Sequence, residues 1–144
     1  MPGSKRTAAR ATSERVPALY VDSSALLRVL TEAPDAPAIR LELTRSTRVA
    51  SRLVVAEVRR TGFRRGRLEA ADALLRRIAL VPIDESILRK AETIEPKTVA
   101  TLDAIHLATA VTLHEEGNLG AVMTYDKRLA DGARHHGIEV VSPA

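Results

Sequence analysis

Short apolar runs alternate along the chain with longer segments whose apolar positions recur every three or four residues. The runs are ALYVD at 18–22, RVAS at 48–51, ALVPI at 79–83, LGAVMTYD at 119–126 and IEVV at 138–141. Their length and β-branched content predict strands. The segments between them predict helices: SSALLRVLTE, PAIRLELTR, Leu53 to about Arg64, LEAADALLRRI, DESILRKAETI, residues 101–116 and DKRLADGARHHG. Ser23 or Ser24 is available to cap the first helix, and Asp84 to cap the fifth. Pro34 and Pro37 break the first helix, with Pro37 near the first turn of the next. Apolar Leu53, Val54, Ala56, Val58 and Phe63 space the third helix, and Gly62 and Gly66 punctuate its end. Leu102, Ile105, Leu107, Ala108, Val111 and Leu113 form a broad apolar face on the long helix, which Gly117 closes. Strands alternating with helices imply a parallel sheet covered on both faces.

A length of 144 residues is one domain with room for a single substantial core. We expect that domain over 18–144, preceded by a disordered basic tail at 1–17 or a start codon assigned too early. The absence of cysteine excludes disulfides, thiolate metal sites and cysteine nucleophiles, and fits a reducing cytoplasm. No apolar run approaches the roughly 20 residues of a membrane span. The net charge is +4, mostly arginine. Residues 59–67, RRTGFRRGR, hold Arg59, Arg60, Arg64, Arg65 and Arg67 with no acid among them. Such a block points to a polyanion held by its phosphates, or to a solvated helix end and turn. With only Tyr20, Phe63 and Tyr125 as aromatics, a base-stacking platform is not expected.

Four acids stand at the edges of these segments: Asp22, Glu57, Asp103 and Asp126. Each alone has an ordinary explanation. Asp22 and Asp126 could cap the helices that follow them, Asp103 could be a first-turn acid favoured by the helix dipole, and Glu57 could lie on a polar stripe. Together they form a pattern. In an open parallel sheet, ligands bind outside the carboxyl ends of the strands, and Asp22 and Asp126 both follow a strand at that end. Converging carboxylates raise one another's pKa, and a hard cation such as Mg²⁺ or Mn²⁺ removes that penalty. Such ions activate water for phosphodiester cleavage without a histidine base or covalent nucleophile.

The segments LYVDSSALLRVL, VVAEVRR, TLDAIHLATA and VMTYDKRLADGAR resemble the successive signatures of PIN-domain proteins, most closely the VapC toxins of type II toxin–antitoxin systems. The resemblance runs from about Leu19 to Val141, and LDAIHLATA and TYDKRL are its most diagnostic stretches. It implies a three-layer α/β/α domain with a central parallel sheet of four to five strands. It also implies a Mg²⁺- or Mn²⁺-dependent endoribonuclease. Asp22, Glu57, Asp103 and Asp126 would be its acidic quartet, with Asp22 and Asp103 as direct metal ligands. Asp126 and Glu57 would bind the metal directly or through water, and Ser23 and Thr124 would orient water or a ligand. The implied partners are an RNA substrate, a VapB-like antitoxin whose C-terminal segment lies across the groove, and a second copy of the chain docked through the early helices. The N-terminal extension departs from the family, which usually begins almost at the first strand.

His106, three residues after Asp103, is expected to support the site rather than ligate a hard cation. His135 and His136 are expected at a helix C-terminus on the surface, and Arg28 and Lys127 as solvated side chains. A haloacid-type phosphatase would need a second Asp at position 24, which is serine. A receiver domain would need an acidic pair near the first strand. GFRRGR lacks the Lys-Ser or Lys-Thr of a phosphate loop. The alternative outside enzymology is a PIN-like RNA-binding or partner-binding module without nuclease activity.

Overall fold

The computed structural model describes residues 17–144, so the expected tail lies, but for Pro17, outside the described residues. In chain order the elements are β1 (Ala18–Val21), α1 (Ser23–Leu30), α2 (Ala36–Thr44), β2 (Arg48–Ser51), α3 (Leu53–Arg64) and α4 (Leu68–Leu75). They continue with β3 (Ala79–Val81), α5 (Glu85–Thr93), α6 (Thr101–Glu115), β4 (Leu119–Met123), α7 (Lys127–His135) and β5 (Val140–Val141). The five strands pair in parallel in the order β3-β2-β1-β4-β5. Parallel neighbours need crossover connections, and these carry the helices onto the two faces. The result is the three-layer α/β/α sandwich expected from the sequence.

The first described strand, β1, lies in the centre of the sheet; the fold builds outward through β2 and β3, then returns to the other flank of β1 with β4 and β5. Strand alternation sends Leu19, Val21, Ala50 and Met123 to one face, against Leu26, Val29, Ile39, Val54 and Val58 of α1, α2 and α3. Tyr20, Val49 and Val122 point to the other, against Leu107 and Val111 of α6 and Leu129 and Ala133 of α7. The loop after β1 therefore leads to one layer and the loop after β4 to the opposite layer. In open parallel sheets such diverging loops frame a crevice at the carboxyl end of the strands.

Several local expectations change. The cap of α1 is Asp22 rather than Ser23 or Ser24: its side chain accepts from the Ser24 N–H and its backbone is extended, with φ −80° and ψ 154°. Asp84 caps α5 as expected, accepting from the Ile87 N–H. Gly62 does not end α3 but is buried within it. A Cβ at Gly62 would stand 2.8 Å from the Ala71 Cβ and 3.0 Å from the Arg67 carbonyl oxygen, so the missing side chain is what lets α4 lie so close. The turn after α3 instead uses Gly66, at φ +67°, where a Cβ is strained. Phe63 and Leu102 are 64 % and 54 % exposed, so neither joins the core, and Ala56 is exposed as well.

Candidate active site

Asp22 ends the central strand and is 2 % exposed. A carboxylate so deeply placed needs donors, and its Oδ2 has three. The Ser24 hydroxyl donates at 2.6 Å, the Thr124 hydroxyl at 2.8 Å and the Ser24 N–H at 3.3 Å. Ser24 Oγ in turn accepts from the Tyr125 N–H at 2.8 Å, and Thr124 Oγ1 from the Asp126 N–H at 3.0 Å. Both hydroxyl protons are thus committed to Asp22. The 3.2 Å approach of Ser24 Oγ to Thr124 Oγ1 is then a contact between two acceptors rather than a further bond. This small lattice stitches the loop after β1 to the loop after β4 and leaves Asp22 Oδ1 without a donor among the described residues, 3.7 Å from His106 Nε2. Thr124 holds the place the sequence pointed to. The serine hydroxyl in contact with Asp22 is that of Ser24, not of Ser23.

Asp126 follows β4 and caps α7, its Oδ1 accepting from the Leu129 N–H at 2.9 Å. Among the described residues its Oδ2 takes no donor. Asp22 and Asp126 are therefore both caps and crevice acids, since an N-cap at a strand's carboxyl end is where the crevice lies. Asp103, in the first turn of α6, is half-buried and its pKa is raised from the ordinary 3.8 to about 6. Burial is the largest cause, followed by the charges of Asp126 and Asp22 and, more weakly, Glu57, with His106 acting in the opposite direction. Asp103 thus feels the field of the other three acids.

Glu57, on the second turn of α3, accepts from His106 Nε2 at 2.8 Å. His106 is fully buried on α6, and the same nitrogen lies 3.7 Å from Asp22 Oδ1. Its other nitrogen, Nδ1, is 2.6 Å from the Tyr20 hydroxyl, which accepts from the Ser51 N–H at 3.1 Å. Burial pushes the Tyr20 pKa well above its ordinary value, so the phenol keeps its proton. For His106, burial opposes the charged ring, but the bond to Glu57 and the charges of Asp22, Glu57 and Asp103 outweigh it, and the net direction is upward. Nε2 carries a proton in either charge state, because a carboxylate faces it. Sequence reasoning assigned His106 a supporting role but could not identify Tyr20 as its partner, 86 positions away.

Among the described residues no group of three or more acidic or imidazole side chains is drawn tightly around one point. The donor set nonetheless fits a Mg²⁺-like ion. Such an ion keeps several waters and takes one or two protein carboxylates, and Asp22 Oδ1 and the half-buried Asp103 carboxyl offer that number. The elevated pKa of Asp103 is what a cation would relieve.

Of the basic block, Arg59, Arg60, Arg64 and Arg65 are exposed. Arg59 is bound to Asp72 at 2.7 Å, Arg60 lies 5.8 Å over the Phe63 ring, and Arg67 reaches Glu32 at 3.0 Å. Helical spacing puts Arg60 and Arg64 on the same face of α3 as Glu57. Arg28 is not a free cation: it binds both oxygens of Asp35 at 3.1 and 2.9 Å and lies over Tyr125. Lys127 is exposed. His135 is exposed, while His136 caps α7 and donates to the Glu95 carbonyl. A separate groove of about 850 Å³ runs between α5 and α6, lined by Leu88, Ile94, Val99, Ala104 and Ile105 among others. It opens beside the first turn of α6 without including the acids.

The PIN domain family model matches residues 19–140. Ribonuclease VapC46 of Mycobacterium tuberculosis is 38 % identical over 130 residues, covering 88 % of this chain and 98 % of that protein. Ribonuclease VapC47 of the same organism is 35 % identical over 133 residues, covering 87 % and 96 %. Among solved structures, a toxin–antitoxin complex from Klebsiella pneumoniae superposes with a TM-score of 0.67 at 22 % identity, over 88 % of this chain and 98 % of that one. Mycobacterium tuberculosis VapC20, described as a Sarcin-Ricin loop cleaving toxin, superposes with a TM-score of 0.65 at 16 % identity, over 88 % and 100 %.

Proposed function

Since the chain belongs to the PIN-domain family, with VapC ribonucleases among its relatives, we propose that it is the ribonuclease toxin of a toxin–antitoxin pair, a divalent-metal-dependent endoribonuclease. The observation that supports this reading is the placing of Asp22, Asp126 and Asp103 at the carboxyl end of the sheet and the start of α6, where burial and then the charges of Asp126 and Asp22 raise the Asp103 pKa. When bound, a Mg²⁺ or Mn²⁺ ion lowers the pKa of a water and offsets charge at the scissile phosphate. Asp22 and Asp103 would hold the ion, and Asp126 Oδ2 and Glu57 would orient the waters around it. Ser24 and Thr124 hold Asp22 by its Oδ2 and leave Oδ1 without a donor among the described residues. Arg60 and Arg64 would bind phosphates of the RNA backbone, on the same helix face as Glu57, with Arg59 and Arg65 at its margin.

Two protein partners accompany this reading. A VapB-like antitoxin would block the crevice with a basic side chain that neutralises the same acids. Self-association would use α1 and α2, where Leu41 is 59 % exposed. The test is to sequence RNA 5′ ends after brief expression of the wild type and of Asp22→Ala, alongside cleavage of host RNA by purified protein with Mn²⁺ or a chelator. New ends that depend on Asp22, and cleavage that the chelator abolishes, are expected. Equal toxicity of Asp22→Ala and no cleavage by metal-loaded protein would refute the proposal.

A further inference from the structure

His106 occupies a position the fold could fill with an apolar side chain. It has no exposed surface and neighbours Leu107, Ala110 and Tyr20 in the layer between α6 and the sheet. Burying an imidazole and a phenol is unfavourable unless their polar atoms are bonded. Here each is: Ser51 N–H donates to the Tyr20 hydroxyl, that hydroxyl and His106 Nδ1 share a bond at 2.6 Å, and His106 Nε2–H donates to Glu57. Satisfied buried polar networks can often be replaced by apolar side chains of similar volume without loss of stability. Stability alone therefore does not account for this one.

The two ends of the chain of bonds point to its use. One end is main chain at the last residue of β2, and the other is a partly exposed carboxylate in the crevice. Ser51 also fixes the helix that carries that carboxylate, because its Oγ accepts from the Leu53 N–H at 3.1 Å. Glu57 is thus held from its backbone and from its tip by the same sheet edge. A glutamate otherwise free to rotate is confined to one rotamer.

We propose that Tyr20 and His106 are positioning residues that clamp one oxygen of Glu57, so that its second oxygen stays turned toward Asp22 and the cation-bearing crevice. The role in catalysis rests on the ribonuclease reading, whereas the clamp itself rests on the bond geometry. Groups that orient the ligands of a metal site typically contribute 10–100-fold in metal affinity or activity.

The test uses the full chain with His106→Leu, His106→Gln, His106→Asn and Tyr20→Phe. Gln carries an amide N–H at the distance of Nε2, whereas Asn carries one only as far as Nδ1. In His106→Leu and His106→Asn, Mn²⁺ affinity by calorimetry and kcat for RNA cleavage should fall about 10-fold or more, with KM for RNA changed less than about twofold. His106→Gln should recover most of both. The carbon-13 resonance of the Glu57 carboxyl should move on His106→Leu and return toward wild type with Gln. The nitrogen-15 resonance of Nδ1 should move on Tyr20→Phe while Nε2 stays protonated. Should Leu fail to fold, the Gln and Asn pair carries the comparison. Wild-type Mn²⁺ affinity and Glu57 resonance in Leu or Asn, or a Gln variant no better than Asn, would overturn the clamp. If wild type itself cuts no RNA, the ribonuclease reading fails, and the resonances and the Mn²⁺ titration still decide the clamp.

Discussion

Replacing Asp103 with asparagine should stabilise the metal-free protein while removing its activity. In the fold, the Asp103 carboxyl binds its proton more tightly than in the unfolded chain, with a pKa raised from 3.8 to about 6. At 1.36 kcal/mol for each factor of ten in proton affinity, that corresponds to about 3 kcal/mol against the ionised form. The side chain is only half-buried, so solvent screening reduces the figure to about 1–2 kcal/mol. The sign follows from linkage. Below about pH 4 the carboxyl is protonated in both states and adds nothing. As pH rises from about 4 to 6 the native state still holds the proton that the unfolded chain has lost, so stability declines. Above pH 6 the full penalty persists. Urea unfolding in a chelator should find Asp103→Asn more stable by about 1–2 kcal/mol at pH 7 and nearly equal to wild type at pH 4. Saturating Mn²⁺ should reverse the order, since an ion at about 100 times its dissociation constant adds about 2.7 kcal/mol to the wild type alone. If the variant were no more stable at pH 7, or its advantage did not shrink toward pH 4, the reading of a crowded acidic crevice would be wrong.

Other outcomes follow from the same geometry. Ser24→Ala should lower RNA cleavage by removing a donor to Asp22, whereas Ser23→Ala should leave it within about twofold; equal effects in a cleavage assay would undo the assignment. Gly62→Ala should destabilise by about 1–3 kcal/mol through overpacking against Ala71, read as a lower urea midpoint. Arg64→Gln should weaken RNA binding and reduce its salt slope by about one phosphate contact. Arg59→Gln should do so less, because Asp72 already holds Arg59, and filter binding at several salt concentrations separates the two.

Much of this architecture was legible because the information is local. Each strand announces itself in a short apolar run, and Asp22, Asp103 and Asp126 sit where a strand ends or a helix begins. The order of strands in the sheet was not among the expectations and appears only in the pairing β3-β2-β1-β4-β5. What was hidden depends on partners far apart. Ser23 and Ser24 are equivalent until Tyr125, about a hundred positions later, donates its N–H to Ser24. Gly62 reads as a helix stop because glycine usually is one, and only the approach of Ala71 reveals its other use. Leu102 and Phe63 fit an apolar spacing, yet they stand at a helix end and beside the Arg block, where no layer covers them.

The double duty of Asp22 and Asp126 as caps bears on how such a chain escapes its own activity. Alanine at either acid should silence the crevice but also uncap a helix, at about 0.5–2 kcal/mol. Neutralising Asp103 should silence it while relieving repulsion. In cells selected for survival when this chain is expressed without a partner, lesions at Asp22 or Asp126 should yield protein that proteases clear. Lesions at Asp103 should yield an inert, long-lived decoy that still engages whatever partner the active form engages. The spectrum of survivors, sorted by the abundance of the protein each retains, would expose which acids the fold leans on and which it merely tolerates.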